Sequence, residues 1–460
     1  MKSTGLLSYA SAKAGKTILI TGFFRINDNA QTPGVQAAYI YREEHYVMNR
    51  HVIEDAKRCR QCKSPKCSLG CPVHTPIRDA IHLLLESKLT EAGELLFNNN
   101  PLSLICSYIC PQENQCEGHC VLGATGSPVQ VSAIERYISS FYLNFNKPVP
   151  SDKSAGKIAI IGSGPAGITI AFHLAKKSYD ITIFEGNDQI GGILRYGIPE
   201  FRLPKKNLDV LLDVMIKSGV RVRPNTSIGT NLSIDDLFRD GYQAIFMGTG
   251  VWRPNRIGLH GESLGHVHYA IEYLRNPDVY QLGRRVAIIG AGNVAMDVAR
   301  TALRHGSEEV FIICYMGEQC ITARPVELEY AKIDGARLVY YKTVVEFVDD
   351  GVILADSDVT TDEDGIDTVS PVEGTEELFP ADSVIIAIGQ GPRAVIVSNT
   401  TGINVTNQGL VAVDPCGRTS RPGVFASGDV VTGAKTVVEA VRVSRLVADA
   451  MDDYVQQTYK

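Results

Sequence analysis

Twice in this chain an apolar run ends in a glycine-rich turn that opens a helical pattern, and that repetition constrains the fold more than any other feature. The first unit is Lys157-Ile158-Ala159-Ile160-Ile161, followed by Gly162-x-Gly164-Pro165-Ala166-Gly167. The second is Val286-Ala287-Ile288-Ile289, followed by Gly290-x-Gly292-Asn293-Val294-Ala295. A continuous apolar run suits a parallel strand buried on both faces. The first glycine of each turn permits the tight bend, and the second lets a pyrophosphate approach the backbone. The third position, glycine or alanine, lets helix and strand pack closely. The N–H groups at the helix start then face the phosphates. Beyond residue 156 short apolar strands alternate with helical patterns, so the spacing predicts an α/β chain with two doubly wound, Rossmann-like dinucleotide-binding domains.

Around the first unit, Glu185 follows the strand 181–184, 21 residues after Gly164, where an acid binds a ribose hydroxyl. Gly191-Gly192-Ile193-Leu194-Arg195-Tyr196-Gly197-Ile198-Pro199 and Phe201-Arg202-Leu203-Pro204-Lys205 come next; alone they also read as an ordinary loop. Near the carboxyl end, Ser427-Gly428-Asp429 precedes Gly433-Ala434-Lys435-Thr436, which opens a helix over 437–451. An aspartate there can accept from a flavin ribityl hydroxyl, and the helix start can stabilise negative charge on a reduced flavin. The apolar segments 383–388 and 423–429 predict that the chain returns late to complete the first domain.

In the second unit the strand 309–314 leads into Cys314-Tyr315-Met316-Gly317-Glu318, with no Lys or Arg until Arg324. A pocket for NADP needs cations there for the 2′-phosphate, whereas Glu318 could hydrogen-bond the two hydroxyls of NAD. Glu318 equally reads as a solvated loop charge. Asp297, on the helix of this unit, joins the nucleotide-site candidates. Five residues separate Cys314 from Cys320, too many for a close-set redox pair, so these and Cys416 read as core or loop cysteines.

Eight of the eleven cysteines lie between Cys59 and Cys120. Their spacing is Cys59-x2-Cys62-x4-Cys67-x3-Cys71-Pro72, then Cys106-x3-Cys110-Pro111-x4-Cys116-x3-Cys120. Iron–sulfur clusters take thiolates from closely spaced backbone positions, and in two-cluster ferredoxins the cysteine before proline ligates the other cluster. By that logic Cys71 crosses over. Zinc sites and structural disulfides are the alternatives, although zinc favours paired CxxC spacings. The eight also divide simply into four and four.

The organisation expected is an amino-terminal extension over 1–50 and a helical iron–sulfur domain over 51–150, with helices at 51–58, 77–86, 90–98 and 131–142. An FAD domain follows in two parts, 151–280 and 381–460, around a nicotinamide nucleotide domain at 281–380. The stretch 146–156 reads as a linker. A net charge of −6 gives no footprint for nucleic acid. No run of 18 apolar residues occurs, and Met1 to Gly15 is too weak for a secretory signal. A soluble, cytoplasmic protein is expected.

Jointly, these motifs resemble the small chain of glutamate synthase. They are similar also to the N-terminal half of dihydropyrimidine dehydrogenase and to the FAD subunit of NADH-dependent ferredoxin:NADP oxidoreductase. The resemblance covers about residues 50–455 and is carried by Arg58-Cys59-x2-Cys62, Gly70-Cys71-Pro72-Val73, Cys110-Pro111, Gln115-Cys116-Glu117-Gly118-x-Cys120, Gly162 to Gly167, Tyr196 to Lys205, Gly290 to Ala299 and Gly433 to Ala440. It implies two [4Fe–4S] clusters. One would use Cys59, Cys62, Cys67 and Cys120; the other Cys71, Cys110, Cys116 and Glu135, an oxygen ligand that also reads as a helix-face charge. Cys106 would be a non-ligand. NADPH-dependent relatives carry Arg-Arg where this chain has Tyr315-Met316, which leaves NADH or NADPH open with a lean to NADH. Residues 1–50, with Tyr39, Tyr41 and Tyr46, depart from the usual short start and read as a docking element or as packing.

The function implied is electron input. Hydride would pass between NAD(P)H and FAD, and single electrons through the clusters, with no catalytic side chain. The partner implied is a glutamate synthase large chain, or else a ferredoxin-linked, bifurcating or pyrimidine-reducing subunit. A redox scaffold with a decayed nicotinamide site is the rival reading.

Overall fold

The computed structural model describes residues 50–145, 148–150, 152–361 and 367–459. The extension at 1–49, including Tyr39, Tyr41 and Tyr46, lies outside them.

The cysteine-bearing domain is helical. Ile77, Ala80, Ile81 and Leu84 recur at helical spacing along Ile77–Leu85 and are buried. They meet Leu96 of Leu89–Asn99 and Ile134 and Ile138 of Val131–Phe145 in one core. A further helix, Ser103–Ile109, runs through Cys106. Its residues Ser103 to Ser107 are buried in succession, so no amphipathic pattern marks it.

Five parallel strands build the first α/β sheet, in the order Val424–Ala426, Ala244–Met247, Gly156–Ile161, Tyr179–Phe184, Arg221–Arg223. The late segment thus pairs beside Ala244–Met247, with Phe425 opposite Phe246. The closing helix Val437–Tyr459 packs on Pro165–Ala175 and runs past the expected end at 451. Tyr179, which starts the strand Tyr179–Phe184, donates to Asp452 at 2.7 Å and ties the closing helix to the sheet.

The second parallel sheet has the order Val267–Tyr269, Ser383–Ile386, Arg285–Ile289, Glu309–Ile313, Arg337–Val339. Here the structure corrects the sequence reading. The strand expected to return at 383–388 pairs with Arg285–Ile289 instead, Ile385 opposite Ile288. Val267–Tyr269 also joins this sheet, ahead of the boundary drawn at 280. A short strand buried on both faces carries no mark of which sheet it enters. The crossing back comes next, where Gln390–Gly391 pairs antiparallel with Arg253–Pro254. Antiparallel strands Lys342–Val348, Gly351–Thr361, Asp367–Pro371 and Glu377–Pro380 flank the second sheet.

Candidate functional site

A cavity of about 390 Å³ opens over the carboxyl ends of the first sheet. Of the expected residues, Gly162, Gly164, Pro165, Ala166, Glu185, Gly192, Gly428, Asp429 and Thr436 line it. Gly162 has φ +95°, and a Cβ there would sit 2.6 Å from the Gly248 carbonyl. At Gly164 the nearest atom to an added Cβ is that same carbonyl at 4.0 Å, so a side chain would project into the open wall. That glycine cradle fits a pyrophosphate laid on the helix start of Pro165–Ala175. Glu185 is buried and accepts from the Ser163 amide at 3.0 Å and from the Asn187 amide and side chain at 2.8 Å. Burial pushes the Asp429 carboxyl up to about 6.

The remaining expected residues stand behind the wall. A Cβ on Gly167 would lie 2.1 Å from the Gly162 carbonyl, which makes it a packing glycine. Leu194 is fully buried in the core. Arg195 donates to the Ile190 carbonyl at 2.7 Å and to Asp209. Gly197 closes the short helix Ile193–Tyr196, and the Ile198 carbonyl accepts from Lys205. Ala434 does not line the cavity. Sequence reasoning missed Thr226, Thr249, Trp252, Arg275 and Arg393, which do. They come from strand ends, connections and the end of the helix Ala270–Arg275, without a motif, so only the fold brings them together.

At the second glycine turn, Gly290 has φ +113° and Ala295 is fully buried under the turn. Asn293 accepts the Arg324 amide at 2.9 Å, and Val294 packs against the second core. Tyr315 is 41% exposed, and its carbonyl accepts from Ser357. Glu318 is more than a solvated charge: it accepts from Lys332 at 2.6 Å and from Tyr340 at 2.8 Å. Those bonds hold its carboxyl below the ordinary range. A cation therefore does stand beside the loop, supplied by the helix Pro325–Asp334.

Asp297 turns away from solvent. It accepts from Arg202 at 2.6 Å, and its other oxygen is buried without a partner. Arg202 also pairs with Glu327 at 3.1 Å, and Glu327 with Arg300 at 2.9 Å. Phe201 lies under the guanidinium groups of Arg300 and Arg304. The segment 201–205 is thus a clasp between the two dinucleotide domains rather than an ordinary loop. Lys205 anchors its end on the Leu194 carbonyl at 2.8 Å, and burial pushes this amine down to about 8.

The cysteines gather in two sets, none bridged by a disulfide among the described residues. Cys59, Cys62, Cys67 and Cys120 line one small hollow of about 30 Å³, floored by Ile77 and Ile81. Burial, and the proximity of Cys120, push the Cys59 and Cys67 thiols up. Cys71, Cys110 and Cys116 form the second set; burial pushes the Cys71 and Cys116 thiols up, a hydrogen bond with Cys106 and burial push Cys110 up, and the nearby Glu135 adds to all three. Burial, reinforced by Glu117, pushes Glu135 itself up to about 8. Cys106 stands behind them, where Asn100 donates to its sulfur at 3.3 Å. Among the described residues no three such groups are close enough to share one metal ion. Four thiols in one set, and three thiols with a carboxyl in the other, are donor chemistry that suits iron–sulfur ligation. Positive iron would reverse the upward push on these thiols.

Comparison with known proteins finds matches for both parts of the chain. The family model for pyridine nucleotide-disulphide oxidoreductases matches residues 156–444. A model described as dihydropyrimidine dehydrogenase domain II, 4Fe-4S cluster, matches residues 38–146. The small chain of glutamate synthase [NADPH] from Escherichia coli (strain K12) is 31% identical over 429 residues, 87% of this chain and 91% of that one. The NAD-dependent dihydropyrimidine dehydrogenase subunit PreT from Salmonella typhimurium is 31% identical over 417 residues, 88% of this chain and 94% of its own. FprA from Mycobacterium tuberculosis superposes with a TM-score of 0.57 at 18% identity, covering 66% of this chain and 85% of that chain. At that identity the likeness speaks for the fold alone. No helix among the described residues is long and apolar enough to cross a membrane.

Proposed function

Because the chain belongs to the pyridine nucleotide-disulphide oxidoreductase family, with a 4Fe-4S domain at its amino end, we propose that it is the electron-input subunit of a larger enzyme, linking NAD(P)H to a partner through FAD and two [4Fe–4S] clusters. The observation that carries this reading is the gathering of eight donor groups into two sets in the domain beside the flavin-type cavity. Bound in that cavity, FAD would supply the exchange between a hydride's electron pair and single electrons.

The chain's own residues hold and orient. Gly162, Gly164 and the helix start at Pro165 would take the pyrophosphate, and Glu185 the ribose. Asp429 and Thr436 would hold the flavin end. Gly290, Gly292 and the helix Asn293–Arg304 would take the nicotinamide nucleotide, with Glu318 at its adenosine ribose. The clasp from Arg202 to Asp297 and Glu327 fixes one dinucleotide domain against the other, and such positioning is what a direct transfer requires.

The first choice of partner is a glutamate synthase large chain, as the Escherichia coli relative suggests. The acid at the ribose position, and the NAD-dependent Salmonella relative, favour a dihydropyrimidine-reducing partner as the second reading. Anaerobic titration of the purified, flavin-loaded chain with NADH and with NADPH tests the proposal. Bleaching of the flavin band supports it; flavin that neither nucleotide bleaches contradicts it.

A further inference from the structure

The two thiol sets differ in access. Cys71, Cys110 and Cys116 are buried, whereas Cys59, Cys62, Cys67 and Cys120 are only half-buried. The sequence around the accessible set is rich in cations. From residue 57 to residue 78 the chain carries Lys57, Arg58, Arg60, Lys63, Lys66 and Arg78, and no Asp or Glu. The segment 118–130, which brings in Cys120, also has no Asp or Glu. All this occurs in a chain whose net charge is −6.

Half of these cations are already answered. Lys57 pairs with Glu54, Arg58 with Asp55 and Arg78 with Asp79. Arg60, Lys63 and Lys66 are exposed and have no ion pair among the described residues. An open hollow lined by Lys57, Arg58 and Arg60 reaches Cys59 of the thiol set. Leu69, 64% exposed, and Val121, 41% exposed, follow Cys67 and Cys120 closely in sequence. Apolar contacts inside a charged rim are the usual anatomy of a transient interface.

We propose that this rim is the docking surface for a redox partner protein that presents an acidic face, with Arg60, Lys63 and Lys66 supplying the opposing charge. The inference rests on the reading of the cysteine block as cluster ligands. One electron would pass per encounter between the centre held by the accessible thiols and a one-electron centre in the partner, with no bond made or broken. A protein fits better than a lipid surface or a nucleic acid, because the unanswered charge surrounds the one thiol set open to close approach. Electron transfer demands that approach, and opposite charge accelerates it.

The test measures equilibrium binding to the iron-loaded full-length chain. The probes are a redox-inert, gallium-substituted plant-type ferredoxin, which is acidic, and cytochrome c, which is basic. Ferredoxin should bind, with Kd rising about tenfold or more between about 20 and 300 mM KCl. R60E/K63E/K66E should raise Kd by at least about tenfold at low salt and improve cytochrome c binding. K63E/K66E, which leaves the neighbour of Cys59 untouched, should show a smaller rise in the same direction. Iron is measured on every sample. Iron-loaded variants that bind ferredoxin as the parent does overturn the docking surface alone. A chain that takes up no iron overturns the cluster reading as well. Loss of binding to phosphatidylglycerol vesicles or duplex DNA, with ferredoxin binding unchanged, would assign the patch elsewhere and overturn the proposal.

Discussion

Arg324 grips Glu113 with two contacts, Nε and Nη2 each 2.7 Å from a different carboxylate oxygen. Arg324 begins the loop-to-helix step of the second dinucleotide domain, and Glu113 follows Cys110-Pro111 in the thiol-bearing domain. Burial works against the charge on Glu113, but Arg324 and its own backbone amide outweigh it and hold the carboxyl low. Arg324 is 13% exposed and Glu113 37%, so the two-pronged geometry rather than burial sets the pair apart from an ordinary surface bridge. It therefore joins the nucleotide domain to the domain that would receive the electrons.

Breaking that grip should loosen positioning without emptying the flavin site. R324A is expected to slow flavin reduction by nicotinamide nucleotide by about tenfold, with flavin content unchanged. A double-mutant cycle with E113Q should give a coupling of about 1–2 kcal/mol in unfolding. Stopped-flow rates equal to the parent's would show that the contact is only structural.

The cradle at Gly164 offers a test by a single methyl group. G164A places a Cβ in the cavity wall where nothing else stands closer than 4.0 Å. Flavin content of the purified protein should fall at least about tenfold, as an oxygen of the pyrophosphate is displaced. G126A, where an added Cβ meets nothing within 4 Å, should leave it unchanged. Full flavin occupancy in G164A would move the cofactor away from this turn.

Iron content should separate the thiol sets. In the two-cluster reading the parent binds about eight irons per chain. C71S or E135A should bring this to about four, and C106S should leave it near eight. A loss of half the iron in C106S would place Cys106 among the ligands and redraw the second set.

The two glycine turns, their strands and the eight cysteines were legible because each is a local pattern with a physical requirement. The clasp was not. Arg202 meets Asp297 across 95 residues of sequence, and Arg324 meets Glu113 across 211. Nothing near either arginine marks its partner. The segment Ser383–Ile386 reads as a strand, but nothing in it marks its sheet, since three buried apolar residues and a serine fit either one. At the second nucleotide site the search for cations stopped along the loop. Lys332 reaches that loop from a helix 14 residues further on.

Nucleotide preference should turn on that lysine. In the parent, Glu318 occupies Lys332 and Tyr340. E318Q removes the acid and leaves a cation near the ribose position. The ratio of kcat/KM for NADPH over NADH should rise by about tenfold, equivalent to about 1.4 kcal/mol. An unchanged ratio would place the ribose pocket elsewhere.

Asp429 should make stability pH-dependent in a known direction. Its carboxyl titrates near 3.8 when unfolded and is pushed up to about 6 by burial in the fold. The folded chain therefore holds the extra proton, so this contribution is complete below pH 3.8 and is lost as pH rises through about 6. D429N stays neutral throughout. Between about pH 4 and pH 7, flavin-free parent should lose on the order of 2–3 kcal/mol relative to D429N. Urea midpoints of the two that run parallel across this range would contradict it.

The most direct test is low-temperature electron paramagnetic resonance on flavin-loaded, air-protected protein reduced with NADH or NADPH. Reduced [4Fe–4S] signals are predicted to appear together with loss of the oxidised flavin band. A sample that binds zinc in place of iron, and shows no such signal after either nucleotide or dithionite, would contradict the account.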